Sequence, residues 1–587
     1  MIGWGRFEGY SLASLRKDVT SGIIVGVIAI PLGMAFAIAS GVKPEYGIYT
    51  TIIAGILISL LGGSKFQIGG PTGAFIPILF AIGMQYGYEN LLIAGMMAGV
   101  ILVLMGILRL GVLIKFIPKP VTIGFTAGIA VIIFSGQIGS FLGLQGMRRH
   151  EGFVDNMREI GQHLSTANMY SILTAVVCLA AVLLTLRFAP KVPGSLIGLL
   201  CATVMAVLFF SGKVATIGSA YGEIPGTLPS FHIPLITWER IKSLLRPAFV
   251  IAMLGAIESL LSAVVADGMT GERHNSNREL IGQGIANIAA PLFGGIPATG
   301  AIARTATNIK NGAVSPVSGI VHGVVVFLIL LLLAPYASTI PLAAMAPILM
   351  VVAWNMSERK EFLHLLKTRT GDSLVLVTTF LLTVFADLTL AVEVGLMLAV
   401  VLFVKRMGEV HRVSKVLPDP SSVKVEAHMV SEHHDCPQIG IYNVEGPLFF
   451  GAAYRFDDTL PGPGAGQPGI ILLRMGKVPL MDTTGESNLV ALVKQLHASG
   501  GTLMISGIQS QPLELLKRTG LYDQIGEEQF YEHTGEAINQ ALGAIDYGKC
   551  AGCRHAAFRE CSAFSLPIEI RQQRVVAGPI KPGALEV

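Results

Sequence analysis

From the N-terminal region to about Lys405, the sequence is an almost unbroken series of apolar segments separated by short polar turns. Many of these segments approach the roughly 20 apolar residues that a helix needs to cross a bilayer. Only 14% of the residues are charged and 52% are hydrophobic, whereas a soluble domain is about a quarter charged. The pattern excludes a soluble enzyme of ordinary composition and a disordered chain. It predicts a multi-span α-helical membrane protein.

The apolar region divides into about 14 segments when it is read by hydrophobic run length. Three of them are short and interrupted by Gly or Pro, at 71–83, 280–293 and 299–310. The longer ones lie at 19–39, 47–62, 91–110, 120–144, 171–188, 194–211, 247–266, 316–335, 338–356, 371–387 and 388–404.

Basic residues in the short connections indicate the orientation in the membrane. They follow the fourth, sixth, twelfth and fourteenth segments, which all end on the cytoplasmic side if the N-terminus is cytoplasmic. We therefore expect a multi-pass protein of the cell inner (plasma) membrane with both termini in the cytoplasm. The basic residues are Lys115, Lys119, Lys191, Arg359, Lys360, Lys367, Arg369, Lys405, Arg406, Arg412 and Lys415.

The sequence pattern changes after about Pro418. Short apolar strands at 439–444, 470–473 and 502–505 alternate with helical patterns at 487–498, 511–519 and 534–542. This alternation predicts a small cytoplasmic α/β domain. We therefore divide the chain into a transport domain over 1–417, an α/β domain over 418–546 and a cysteine-containing tail over 547–587.

One short phrase occurs in both halves of the apolar region, as GGPTGAF at 69–75 and as GGIPATGAIAR at 294–304. Each copy lies at the third segment of a half that contains seven segments. Because seven is odd, the two halves must be inverted relative to one another. Matching Gly/Pro-interrupted segments in two inverted halves indicate the midplane site of a transporter. The sequence thus predicts a 7+7 inverted repeat with two half-helices.

The phrase has a direct physical consequence. Gly and Pro keep the chain non-helical before each half-helix, so each helix begins inside the membrane with unpaired N–H groups and a positive dipole end. Two such ends favour an anion, and Arg304 adds a full positive charge. The alternatives are that the breaks are packing kinks and that Arg304 snorkels to the interface. The predicted substrate-binding residues are Thr72, Gly73, Ala74, Phe75, Thr299, Gly300, Ala301 and Arg304.

Glu258 lies in the middle of an apolar segment, where an ionised carboxylate costs at least about 2.5 kcal/mol. A group that exchanges between a protonated and a paired state suits ion coupling, so we predict this role for Glu258. The alternative is a permanent structural partner of Arg304. His322 is interpreted as a hydrogen-bonded packing residue, while Gln137 and Gln283 are candidates to face a cavity.

The tail contains Cys550, Cys553, His555 and Cys561. Three thiolates and one imidazole form a complete tetrahedral zinc set. The spacing predicts a zinc or iron–sulfur clip, and the alternative is a cysteine-containing tail without metal, since spacing alone is weak evidence. No other feature of the sequence points to a cofactor.

The motifs taken together resemble the SulP family of anion transporters. IPLGMAFA at 30–37 and PEYGIY at 44–49 are similar to the family signature, as are both Gly-Gly phrases, and MDTTG at 481–485 resembles a STAS domain. Leu32 departs from the Gln that is usual in the family. The resemblance implies core and gate domains, a substrate between segments three and ten, and a homodimer. LGAIESLL at 254–261 is most similar to the dicarboxylate-transporting bacterial branch.

We therefore expect a secondary active, proton-coupled transporter of sulfate-type inorganic anions or four-carbon dicarboxylates. The alternatives are an uncoupled anion exchanger or channel and a bicarbonate transporter on the same scaffold. No nucleotide-binding or catalytic-triad motif predicts an enzyme. The net charge of +4, without a basic run, argues against a nucleic-acid partner. The expected partners are a small anion, the lipid bilayer and a second copy of the chain.

Overall fold

The computed structural model describes residues 10–111, 117–189, 192–227, 230–386, 388–416, 436–450 and 468–551, together with residues 553, 555, 557, 558 and 561. By internal contacts the chain forms two compact units, 1–399 and 400–587. Each unit is described separately below.

The first unit is mainly helical, and each of the 14 predicted apolar segments contains a helix in the structure. Seven helices of the described residues are long and apolar enough to cross a membrane, and three apolar helices are shorter. The helices are α1 (Leu12–Ala39), α2 (Pro44–Leu61), α3 (Ile76–Tyr86), α4 (Tyr88–Ile107), α5 (Lys119–Gly136), α6 (Ile138–Leu142), α7 (Phe153–Gln162), α8 (Met169–Phe188), α9 (Gly194–Phe209), α10 (Ile217–Tyr221), α11 (Trp238–Thr270), α12 (Ser276–Ala289), α13 (Ile302–Lys310), α14 (Val317–Ala337), α15 (Leu342–Met356), α16 (Arg359–Lys367), α17 (Gly371–Phe385) and α18 (Leu388–Val410).

Helix α11 is longer than the predicted segment at 247–266. The helix begins after Thr237, whose side chain accepts a hydrogen bond from the N–H of Arg240, and it continues through Pro247. The N-cap threonine determines the actual start.

Glycine allows the helices of the first unit to pack closely. A Cβ added to Gly99 on α4 would lie 2.6 Å from the carbonyl oxygen of Gly284 on α12, and the reverse distance is 2.5 Å. A Cβ on Gly47 of α2 would overlap the carbonyl oxygen of Gly33 on α1. Small residues at such contacts bring backbones together, which is how membrane helices associate without a hydrophobic driving force.

The second unit contains a five-stranded sheet in the order β3 (Arg412–Val416), β4 (Ile439–Glu445), β5 (Ile470–Lys477), β6 (Thr502–Ser506) and β7 (Phe530–Tyr531). Strand β3 pairs antiparallel with β4, and the remaining pairs are parallel. The helices are α19 (Thr483–Ala498), α20 (Ser510–Thr519), α21 (Leu521–Ile525), α22 (Thr534–Gly543) and α23 (Tyr547–Cys550). The predicted strands and helices of this region are present within a few residues of their expected bounds.

Successive residues of β5 point to opposite faces of the sheet, as strand geometry requires. Ile471 and Leu473 pack in one apolar cluster with α19, whereas Ile470 and Leu472 pack in a second cluster with α22. Ala557 and Phe558 are buried in the second cluster. The first part of the predicted tail therefore covers one face of the sheet.

Candidate anion site between two short helices

The two Gly-Gly phrases meet in space. Gly69–Gly70 forms strand β1 and Thr299–Gly300 forms strand β2, and the two pair antiparallel with Gly69 opposite Gly300. Gly70 has φ +153°, and a Cβ there would lie 2.6 Å from Nη1 of Arg304. The sequence predicted a non-helical chain at both places, but it did not predict that the two stretches pair as strands.

A short helix follows each strand. After β1, a 3-10 turn over Gly73–Phe75 leads into α3, and after β2 the chain enters α13 at Ile302. Neither N-terminus has a side-chain cap. The first N–H groups of both helices are thus left uncapped by side chains, and both positive dipole ends lie beside the β1–β2 ladder.

Arg304 is buried at this junction. It is the third residue of α13, and its side chain is 3% exposed. Its Nη2 donates to the carbonyl oxygen of Pro71, whereas its Nη1 has no hydrogen-bond partner. The snorkelling alternative is therefore wrong for this structure. A buried guanidinium that retains donors is suited to bind an anion.

Glu258 faces the other phrase. The hydroxyl of Thr72 donates to Oε2 of Glu258 at 2.9 Å. Among the ion pairs that join described residues within 4.0 Å, none links Glu258 to Arg304. The structure therefore does not support a direct structural pair between these two side chains. Glu258 instead contacts the chain just before the first short helix.

Three of the predicted residues of the second phrase make hydrogen bonds within the protein. The hydroxyl of Thr299 is 2.6 Å from Ser259 Oγ and donates to the carbonyl oxygen of Gly255 at 3.1 Å. The N–H of Gly300 donates to Ser259 Oγ at 3.2 Å, and the N–H of Ala301 donates to Ile68 at 2.8 Å. These groups hold β2 in place, so they are not available as they stand to bind a substrate.

Gly73 of the first phrase is packed less tightly than Gly300 of the second. A Cβ on Gly73 would meet Ile133 and Met356 only at ordinary contact distances of 3.6 Å. Ala74 and Phe75 are buried, and the Phe75 ring packs against Gly255 of α11. The structure thus places Gly73 beside a small space, while Phe75 fills a gap between helices.

Several residues that position the junction were not predicted. The side-chain amide of Asn287 pairs with both the C=O and the N–H of Ala298 at 2.8 Å, as a backbone strand would. Gln67 donates to the carbonyl oxygen of Ser259 at 3.1 Å, and its Oε1 is buried without a partner. The available signal was the presence of polar residues inside apolar segments. Sequence spacing does not show which backbone groups they reach.

The structure also places three isolated polar residues. His322 is fully buried and has the backbone of Gly319 beside its ring, which agrees with a packing histidine. Gln283 donates to Glu279 at 2.9 Å inside the helix packing. Gln137, at the break between α5 and α6, faces a cavity.

That cavity has a volume of about 870 Å³. It is lined by Ile76 and Pro77 at the first turn of α3 and by polar residues that include Gln137, Arg149 and Arg246. Nη1 of Arg149 also donates to the carbonyl oxygen of Ile38 at the end of α1, at 2.9 Å. The cavity therefore extends to the first of the two short helices.

The predicted metal clip is not formed. Across the part of the chain that the structure describes, no three His, Cys, Asp or Glu side chains are grouped so that they could hold a metal ion. His555 is exposed, whereas Cys561 packs against an apolar cluster.

Comparison with known proteins identifies the family. The model of the sulfate permease family matches residues 15–379, and that of the STAS domain matches residues 429–537. A putative sulfate transporter of Bacillus subtilis is 58% identical over 91% of this chain and 99% of its own length. The bicarbonate transporter BicA of Picosynechococcus is 28% identical over 91% of this chain and 95% of its own length.

A solved structure agrees with this assignment at the level of the fold. The murine anion transporter Solute Carrier 26 family member A9 superposes with a TM-score of 0.83 at 18% identity, and the match covers 91% of this chain and 93% of that chain. The relatives that match in sequence are named transporters of the sulfate permease family, not enzymes. The chain therefore belongs to the sulfate permease family of anion transporters and carries a C-terminal STAS domain.

Proposed function

We propose that the protein is a proton-coupled secondary transporter that takes up a sulfate-type dianion and binds it at the β1–β2 junction. The observation that carries the proposal is Arg304, which is buried, has an unpartnered Nη1 and lies between two uncapped helix N-termini. A dianion would gain charge-assisted hydrogen bonds from the guanidinium and from backbone N–H groups. The strong similarity to a putative sulfate transporter supports this choice of anion.

The role of Glu258 follows from its position. A mid-membrane carboxylate is costly when ionised, and a protonated carboxyl group removes that cost. Thr72 holds Glu258 at 2.9 Å beside the first short helix. Protonation of Glu258 would change that contact and the charge near the bound anion. We assign proton coupling to this change, because the charge of Glu258 and the charge of the bound anion lie in the same small region.

Two further assignments complete the proposal. A homodimer follows from the family resemblance, and a cytoplasmic position of both termini follows from the basic connections of the sequence. The dicarboxylate alternative rests on the resemblance of residues 254–261. The bicarbonate alternative has the named cyanobacterial relative in its favour.

The test is uptake of labelled sulfate into proteoliposomes with and without an inward proton gradient. We expect the gradient to drive accumulation, and an excess of unlabelled sulfate to compete more strongly than succinate, fumarate or bicarbonate. The variant Arg304→Gln removes the positive charge at the proposed binding site. Lys310→Gln is its matched control, because it removes a positive charge from the exposed end of the same helix. Equal uptake with and without the gradient would contradict coupling, and stronger competition by succinate would change the substrate assignment.

A further inference from the structure

Four of the six cysteines gather at one place in the second unit. Cys436, Cys550, Cys553 and Cys561 line a single small cavity of about 20 Å³, and His555 lines it with them. All four are thiols that form no disulfide. They come from two distant parts of the sequence, since Cys436 precedes β4 whereas the others follow α22. Sequence spacing predicted that Cys550, Cys553 and Cys561 come together, and the fold adds Cys436.

The four thiols differ in their surroundings. Cys436 and Cys561 pack against the apolar cluster that contains Ala557 and Phe558, as small hydrophobic side chains do. Burial raises the pKa of the Cys561 thiol, which keeps this sulfur in its less reactive protonated form. Cys550 and Cys553 lie outside that cluster. Packing in that cluster therefore accounts for the first pair of cysteines, whereas Cys550 is contacted by the side-chain amide of Gln438.

Cys550 and Cys553 lie close together along the backbone. The N–H of Cys553 donates to the carbonyl oxygen of Cys550 at 3.1 Å. A hydrogen bond between residues i and i+3 brings their Cα atoms within about 7 Å. Disulfides form at Cα separations of about 4.4–6.8 Å. This backbone hydrogen bond thus places the two Cα atoms close to the separation that a disulfide spans.

The segment that carries this pair is docked on the sheet. The side-chain amide of Gln438 donates to the carbonyl oxygen of Asp546 at 3.0 Å and accepts from its N–H at 2.9 Å. The same amide contacts the sulfur of Cys550 at 3.4 Å. The pair is therefore held at a defined position beside the start of β4.

We propose that Cys550 and Cys553 form a reversible redox site, which is oxidised to a disulfide by low-molecular-weight disulfides such as oxidised glutathione. A thiolate of the pair attacks the oxidant, forms a mixed disulfide and releases one glutathione thiolate. The second cysteine then attacks the mixed disulfide and releases the other. Two protein thiols lose two electrons, the oxidant is reduced to two thiols, and the two protons pass to these products. Disulfides of reducing compartments are typically transient and redox-sensing.

The sequence offers a direct assay of this proposal. Trypsin cleaves after Lys549 and Arg554, so both cysteines fall in one peptide, 550–554, while Cys436 and Cys561 fall in others. The purified full-length protein is incubated with oxidised glutathione, alkylated, digested and analysed by mass spectrometry. We expect about half or more of peptide 550–554 to lose two hydrogens and to escape alkylation, and reduced glutathione to reverse the change.

Cys553→Ser is the informative variant, because it should trap a glutathione adduct on Cys550 instead of a disulfide. Cys201, which is exposed in the first unit, is the internal control and should form no intramolecular disulfide. The proposal is overturned if peptide 550–554 remains fully alkylated, or if its disulfides connect it to the peptides of Cys436 or Cys561. It is also overturned if a metal ion copurifies and must be removed before oxidation occurs.

Discussion

The two copies of the Gly-Gly phrase have the same residue types but different surroundings. The second arm, defined here as residues 298–304, is fixed by side chains of α11 and α12, and it carries Arg304. The first arm, residues 69–75, carries no charge. It accepts a hydrogen bond from Arg304 at the carbonyl oxygen of Pro71, and Thr72 donates one to Glu258. The inverted repeat has thus produced one arm that carries the positive charge and one arm that contacts both this charge and the ionisable carboxyl group.

The largest effect should come from removing the charge of the second arm. Arg304→Gln keeps polar donors but loses the positive charge, and truncating a buried charged hydrogen-bonding partner costs about 2–5 kcal/mol. We expect sulfate uptake to fall by a factor of about 100 or more, since every 1.4 kcal/mol is tenfold. Uptake is measured in proteoliposomes at equal protein content, and Lys310→Gln should leave it within about twofold. A wild-type rate in Arg304→Gln would show that the two arms do not differ in the way described.

The next effect concerns the carboxyl group at the first arm. Glu258→Gln imitates the protonated side chain in size and charge, so the variant should retain exchange of sulfate for sulfate but lose accumulation driven by a proton gradient. The two activities are measured on the same proteoliposomes. Gradient-driven accumulation in the variant would mean that Glu258 is structural and that coupling resides elsewhere.

Gly300 and Gly73 occupy matching places in the two arms, and we expect an added methyl group to affect stability differently at each. A Cβ on Gly300 would overlap the amide nitrogen of Gln67, whereas a Cβ on Gly73 would make only ordinary contacts. Gly300→Ala should destabilise the folded protein by about 1–3 kcal/mol, the usual cost of overpacking. Gly73→Ala should leave the melting temperature nearly unchanged. Thermal unfolding in detergent compares the two, and equal destabilisation would contradict the difference in packing.

The smallest effect is expected for Thr72→Val, which removes the hydrogen bond to Glu258 and keeps the side-chain volume. A hydrogen bond to a charged group contributes about 1.5–3 kcal/mol, and one to a neutral group about 1 kcal/mol. We expect gradient-driven uptake to fall by a factor of about 5–10, while binding of sulfate stays close to wild type. Loss of binding would place Thr72 in the substrate site itself.

Much of the architecture follows from local patterns in the sequence. The 14 helical segments follow from run length, and the sheet and helices of the STAS domain follow from alternating strands and helical periods. These signals are local, because each depends on residues within one element. The positions of the two short helices follow in the same way from the Gly and Pro residues of the repeated phrase.

The contacts within the site could not be predicted from the sequence. The strand pairing of Gly69 with Gly300 depends on how helices that are distant in the sequence pack. The same is true of the hydrogen bond between Asn287 and Ala298. For the same reason, the sequence could not show that Thr299, which is predicted to bind substrate, contacts Ser259 and Gly255 of α11. A polar residue inside an apolar segment signals importance, but only the packed structure distinguishes a residue that supports the site from one that faces the substrate.

Direct binding of labelled sulfate to the purified protein tests the central claim, that the second arm holds the anion through Arg304. The measurement is made in detergent without a membrane gradient, so it separates binding from coupling. We predict saturable binding in the wild type, in Lys310→Gln and in Glu258→Gln, and a loss of affinity of about 100-fold in Arg304→Gln. Affinity within about twofold of wild type in a folded Arg304→Gln protein would contradict the account.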